Sequence, residues 1–381
     1  MTLATPPELI AAIEEVLTGS AEQARPGRRV PLTREIRALS ELFALFTAER
    51  PGLRRLSYAD NPRLRNAYLR YHLPLNVARA TRALADVLRA RPEIAALDEV
   101  VDLGAGPGSA SLAAFFTLPP SPPRRYRLLD RSRAVLQVGR RLLARSAELA
   151  NARREALLDV GAETATLPAL PRLPPRALVW LAMVLNELDA RSGRGRRAEP
   201  AGESLLARLA ERLEPPSAVI IIEPALRAPG RRLLALHDAA VASGAWTVIA
   251  PCTHGRSCPL LRERDRSWCH FRFAWDAPRM VREVAEPLRL DHTTPSFSYL
   301  ALARREPSAP VPSPRPDRAR VIGDPMPVRG GGRAIYVCRE GQRELAGQPP
   351  APIERGDVVT LGVGDRLSVE AAWRGRPEPG R

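Results

Sequence analysis

Glu99-Val100-Val101-Asp102-Leu103-Gly104-Ala105-Gly106-Pro107-Gly108-Ser109-Ala110-Ser111 is the stretch on which the reading of this chain turns. A short apolar run breaks at Gly104 into a turn with glycine at every second position. A small-residue segment, Ser109 to Phe116, follows and suits a helix. Strand, glycine turn and helix in that order open a doubly wound α/β domain, whose ligands gather at the carboxyl ends of the strands. Glycines at 104, 106 and 108 let the backbone turn sharply and leave room where a Cβ would intrude on a ligand. A tight βα turn without a ligand uses the same residues, so the flanking sequence has to decide between the two.

The pattern is Asp-x-Gly-x-Gly-x-Gly. A dinucleotide fingerprint, Gly-x-Gly-x-x-Gly, needs its third glycine at position 109, which is serine. The stretch therefore resembles the S-adenosylmethionine (SAM) pocket of class I methyltransferases, with Asp102, Gly104, Gly106 and Gly108 as candidate cofactor-binding residues. Tyr126 to Leu129 reads as a second strand ending in Asp130. An acid at that tip accepts from the ribose hydroxyls of an adenosine cofactor, which adds Asp130 to the set.

The chain has 381 residues, enough for two or three domains. All 58 of its basic residues are arginine, set against 42 acids for a net charge of +16. Arginine forks onto phosphate and keeps its charge at any relevant pH, so the excess points to an RNA partner. No run of eighteen apolar residues exists, which argues against a membrane span. Met1 to Leu17 carries Glu8, Glu14 and Glu15 and no arginine, unlike a signal or transit peptide. The expectation is a cytoplasmic monomer with reduced thiols, in which four cysteines serve a metal or catalysis rather than disulfides.

In order, residues 1–95 read as a helical region: Pro7 to Leu17, then Thr33 to about Glu49, then Pro62 to Arg91 with a break at Pro74. Tyr68, Tyr71 and His72 suit either the border of a ligand pocket or a packing face. Residues 96–305 read as the α/β domain. Its further strands are Leu178 to Val184, the Ile-rich Val219 to Pro224, and Phe297 to Ala303; Arg133 to Leu149 and Arg231 to Ala242 are helices, and Ser132 is placed to cap the first of these. Residues 306–316 form a proline-rich linker. A small β-rich module follows over 317–381, with strands at Arg333 to Cys338, Asp357 to Val363 and Asp365 to Ala371.

The α/β pattern is interrupted at 250–272 by Pro251-Cys252-Thr253-His254-Gly255-Arg256-Ser257-Cys258-Pro259-Leu260 and, further on, Ser267-Trp268-Cys269-His270-Phe271. The fourth cysteine is Cys338. Four thiolates suit tetrahedral zinc or a [4Fe–4S] cluster. The spacings are five, ten and sixty-eight intervening residues, without a Cys-x2-Cys knuckle, which weakens the zinc-ribbon reading. His254 and His270 are possible substitutes for a cysteine ligand, which keeps zinc open. The three closely spaced cysteines of a radical-SAM enzyme, Cys-x3-Cys-x2-Cys, are absent.

Cys-Pro-Leu at 258–260, Trp-Cys-His-Phe at 268–271, Cys-x-His at 252–254 and Leu-Asn-Glu-Leu at 185–188 together resemble a family of methyltransferase-like proteins of the small ribosomal subunit. The family has bacterial members and a mitochondrial branch acting in subunit assembly. The resemblance covers residues 55–340 or so. It implies a SAM-type fold and a [4Fe–4S] cluster on Cys252, Cys258, Cys269 and Cys338, which makes the interruption at 250–272 a cysteine-rich metal-binding insertion. It also implies binding to the small subunit near its rRNA. Thr253 stands where the family commonly has proline.

Methyl transfer from a sulfonium needs alignment more than acid–base machinery. In amino-directed methyltransferases an Asn/Asp-Pro-Pro-aromatic turn after the fourth strand supplies it. Here that turn is Asn186-Glu187-Leu188-Asp189, without the prolines or the aromatic. Asn186 and Glu187 are the catalytic candidates, and they suit a helix cap equally well. The sequence supports cofactor binding more strongly than catalysis. It leaves two alternatives: an active rRNA methyltransferase, and a zinc-stabilised RNA-binding protein without catalysis.

Overall fold

The structure, a computed structural model, describes residues 2–24, 31–47, 59–150, 158–165, 170–185, 201–262, 267–306, 317–327, 332–347, 353–360 and 376–377. Helices α1 (Pro7–Ala24) and α2 (Leu32–Thr47) each bury one stripe, Leu9, Ile13 and Val16 from the first and Leu39, Leu42 and Leu45 from the second. Helix α3 (Pro62–Ala67) is capped by the Asn61 side chain, which accepts from the N–H groups of Arg63 and Leu64. It passes through one π-helical turn, Tyr68–His72, into α4 (Leu73–Ala90).

That turn is what the expected break at Pro74 becomes. Pro74 has no N–H for the carbonyl of Arg70, and the chain takes a wider turn in which Leu73 N–H bonds the carbonyl of Tyr68. Tyr68, Tyr71 and His72 pack edge-on and tilted against Phe43 and Phe46 of α2. Of their two possible roles, helix packing is the one seen.

The α/β core follows as β1 (Glu99–Leu103), α5 (Ser109–Thr117), β2 (Arg124–Asp130), α6 (Arg133–Ala150), β3 (Leu158–Thr164), β4 (Leu178–Ala182), α7 (Ala201–Arg212), β5 (Ala218–Glu223), α8 (Arg227–Ser243), β6 (Trp246–Ala250) and β7 (Ser296–Arg304). The strand order is β3-β2-β1-β4-β5-β7-β6. The first five strands are parallel, and β7 runs antiparallel to both of its neighbours. This mixed sheet is consistent with a class I SAM-methyltransferase-like core. The chain winds from β1 out to β3 and then returns to β4 on the other side of β1. The crevice at the carboxyl ends of β1 and β4 is therefore the topological switch point. Helices cover both faces, and all six residues of β5 are buried, the apolar run 218–222 together with Glu223 at its end.

Beyond the core lies an antiparallel β-module of four main strands: β8 (Arg318–Val321), β9 (Arg333–Arg339), β10 (Gln342–Gly347) and β11 (Val358–Thr360). Their order is β10-β9-β8-β11, over a small core that includes Val321, Ile335, Val337 and Val359. Residues 307–316 of the expected linker and the expected strand at 365–371 lie outside the described residues.

Candidate functional site

The turn after β1 is built from backbone. The N–H groups of Gly104 and Ala105 both donate to the carbonyl of Leu129, at 2.8 and 2.9 Å, which sews the end of β1 to the end of β2. All three glycines have positive φ, at 73°, 53° and 82°. They serve different ends. A Cβ on Gly104 would lie 2.6 Å from Cγ2 of Val184, and one on Gly108 would lie 3.1 Å from Cδ2 of Leu128. A Cβ on Gly106 would meet nothing within 4 Å. Gly104 and Gly108 are needed for packing, and only Gly106 borders open space.

Asp130 closes the turn from the other side. Its Oδ2 accepts from Gly106 N–H at 2.9 Å and its Oδ1 from Ser132 N–H at 2.9 Å. Ser132 caps α6 through Val135 N–H, as expected, and its hydroxyl donates to Asp60. Asp102 sits differently. It is 1% exposed, and its Oδ2 accepts from both the N–H and the hydroxyl of Ser111. Burial pushes its carboxyl up to about 6. Asp102 stands behind the loop and ties it to α5.

Across the crevice, β4 ends in a feature that the sequence did not disclose. Met183 has φ 63°, a left-handed conformation that a non-glycine residue adopts only under constraint. Its N–H donates to the carbonyl of Ile222 at 2.7 Å, and Leu185 N–H donates to Oε1 of the buried Glu223 at 2.9 Å. Asn186 and Glu187, the catalytic candidates, lie outside the described residues.

The second constellation is the cysteines. Cys252, Cys258, Cys269 and Cys338 line one cavity of about 30 Å³, together with His237, Tyr299 and Arg320. That is more room than a single water needs. The first three come from the connection between β6 and β7, and Cys338 comes from β9 of the β-module. No disulfide joins them. Among the described residues, no three His, Cys, Asp or Glu side chains are grouped so as to hold a metal ion. The four thiols share one cavity wall, but the metal-binding insertion expected at 250–272 is not evident among the described residues. Burial, reinforced by the other thiols, pushes Cys252 far up and Cys269 up to about 12, so without a cation these are neutral thiols.

Neither histidine substitutes for a cysteine. His254 Nδ1 accepts from Arg256 N–H at 3.2 Å, which places the proton on Nε2, 3.3 Å from Cys338 Sγ. His254 is thus a donor to a thiol. Burial lowers it to about 4, which keeps the ring neutral. His270 faces the Trp268 carbonyl through Nδ1 and takes a hydrogen bond from Arg355 at Nε2, 2.6 Å away. His237 does face the cavity. Its Nδ1 pairs with Asp238 at 2.8 Å, and its buried Nε2 has no hydrogen-bond partner among the described residues.

A family profile described as mitochondrial small ribosomal subunit Rsm22 matches residues 63–346. No curated protein matches the chain. Solved structures similar to it include a putative RNA methyltransferase from Pyrococcus horikoshii, at 10% identity over 60% of this chain and 85% of that one, with a TM-score of 0.33. An RNA methyltransferase from Salinibacter ruber in complex with S-adenosyl-L-homocysteine is similar at 15% identity, over 36% and 72%, with a TM-score of 0.23. A putative O-methyltransferase from Klebsiella pneumoniae is similar at 11% identity, over 77% and 90%, with a TM-score of 0.32.

Proposed function

We propose, from the premise that this chain belongs to the Rsm22 family of the small ribosomal subunit, that it binds SAM and acts on small-subunit rRNA during ribosome assembly. The observation that carries the SAM reading is the open space over Gly106 at the switch point, beside a carboxylate at the tip of β2. Gly104, Gly106 and Gly108 give the cofactor its turn. Asp130 keeps lone pairs beyond its two backbone bonds for the ribose hydroxyls. Asp102 holds the turn against α5. Bound there, SAM supplies a methyl group on a sulfonium that needs only an aligned acceptor.

The arginine excess supplies the attraction to rRNA phosphates. Reduced thiols suit a cytoplasmic protein. For the cysteines we propose a [4Fe–4S] cluster with one thiolate on each iron. The donor set fits: four thiols ring a space, and His254 N–H already points at one of them. Zinc would need its donors about 2.3 Å from one point, a convergence that the described residues lack.

A second reading, an active rRNA methyltransferase, is supported by the constrained Met183 turn at the mouth of the crevice. One experiment addresses both. Small-subunit profiles and rRNA modification are compared in cells lacking the gene, complemented with wild type or Gly106→Arg. The proposal expects immature small subunits without the gene and recovery with wild type. Recovery of assembly without the modification in Gly106→Arg identifies a catalyst that also assembles. A profile unchanged by loss of the gene contradicts the proposal.

A further inference from the structure

Arg320 is 6% exposed and lines the four-cysteine cavity. It projects from β8, opposite Cys338 on β9, so the two side chains share a face of the β-module. Three hydrogen bonds fix it. Nε donates to the carbonyl of Pro251 at 2.6 Å, next to Cys252; Nη1 donates to Asp86 Oδ2 at 3.2 Å and to the carbonyl of Gly356 at 2.5 Å. All three use Nε and Nη1, so Nη2 is not engaged by them. One guanidinium thus joins helix α4, the cysteine loop and the β-module around the cavity wall.

Asp86 does not cancel this charge. Its Oδ1 pairs with Arg82 at 3.3 Å and Arg89 at 3.1 Å, while Oδ2 takes the Tyr299 hydroxyl at 2.5 Å along with Arg320. The carboxylate is thus shared with Arg82 and Arg89, which are partly exposed, while Arg320 is the charged residue that lines the cavity. A buried cation in excess is unfavourable unless an anion answers it. No carboxylate is among the residues that line the cavity, so its wall provides none.

We propose that Arg320 is the built-in counter-charge for an anionic metal–thiolate group in this cavity, held in place by Asp86 and Tyr299. The proposal rests on the reading of the four thiols as metal ligands. A divalent ion or an oxidised [4Fe–4S]²⁺ core with four thiolates has a net charge of two minus, and the reduced cluster has three minus. A fixed cation at the wall favours the more negative state, whereas a fixed anion disfavours it. Arg320 and Asp86 therefore act on the group with opposite signs.

The test uses the full chain, purified without oxygen, as wild type, Arg320→Met, Arg320→Lys and Asp86→Asn. Iron, zinc and acid-labile sulfide per chain are measured, and the reduction potential is followed in a redox titration. The expected result is a wild-type cluster, a lower potential and faster iron loss to a chelator in Arg320→Met, and near-restoration by Arg320→Lys. Asp86→Asn shifts the potential the opposite way, upward, which a merely structural role would not produce. It also decides the matter if Arg320→Met does not fold. A cluster whose potential and retention are unchanged in Arg320→Met, or shifted in the same direction by both substitutions, overturns the counter-charge and leaves the cluster reading intact. A wild type holding zinc without iron ends the cluster reading, and zinc retention then decides for the counter-charge if Arg320→Met weakens it and against if not. A wild type with neither metal overturns both.

Discussion

A β-carbon on Gly104 would lie 2.6 Å from Cγ2 of Val184, so the turn after β1 and the end of β4 are fitted to each other across the switch point. With φ at 73° besides, Gly104→Ala meets both a steric and a backbone penalty. We expect a loss of roughly 2–4 kcal/mol in urea unfolding. In a double-mutant cycle, Val184→Ala recovers about 1–2 kcal/mol of that loss. Strictly additive effects would mean that the two residues are not in contact.

Asp102 gives the fold a pH dependence of unusual sign. Burial raises its carboxyl from 3.8 to about 6 in the folded chain, so the native state holds the proton more tightly than the unfolded one. The stabilisation this provides is complete below about pH 4 and is lost as pH rises through about 6. Asp102→Asn keeps an acceptor for Ser111 without an ionisation. It gains on wild type by about 3 kcal/mol between pH 4 and pH 8. A constant difference across that range refutes the assignment.

The cysteines make a prediction about accessibility. If the proposed metal group is bound, the four thiols resist maleimide; after its removal by an oxidising chelator and reduction they stay buried and neutral in the folded chain and label fully only in urea. On the proposed reading, Cys338→Ser lowers metal content and the urea midpoint together, because the metal group would no longer link the β-module to the α/β domain. Full metal content in Cys338→Ser would remove Cys338 from the ligand set.

What the sequence disclosed, and what it hid, follows from where each signal lies. The β1 turn, Asp130 and the Ile-rich β5 were legible because local spacing and burial on both faces leave a local mark. Strand β3 reads Leu-Asp-Val-Gly-Ala-Glu-Thr, and as an edge strand paired only with β2 it needs no apolar run. Strand β6 was hidden because it follows α8 after only Gly244 and Ala245, with Gly244 in the left-handed cap. In β8, Arg318-Ala-Arg-Val looks like a strand with a solvated charged face. Arg320 is buried where Asp86, 234 residues earlier, and the carbonyls of Pro251 and Gly356 meet it. The partner of His270 was hidden in the same way, since Arg355 reaches it from a different segment.

Met183 offers a check on the mouth of the crevice. Met183→Gly and Met183→Ala both give up the packing of the Met183 side chain against the core, and the glycine variant is the more stable of the two by about 1 kcal/mol because it is at ease at φ 63°, whereas Met183→Val, β-branched there, is destabilised by its backbone strain. Equal unfolding midpoints for all three variants would show that the turn holds no strain.

The most direct measurement is a calorimetric titration of SAM into the purified chain and into Gly106→Arg, which fills the one side of the turn that a Cβ finds empty. The account predicts one SAM per wild-type chain and no detectable binding to Gly106→Arg, which stays folded and loses only the backbone cost of a side chain at φ 53°, about 1–2 kcal/mol. Undetectable binding to wild type, or equal affinity in the two proteins, contradicts it.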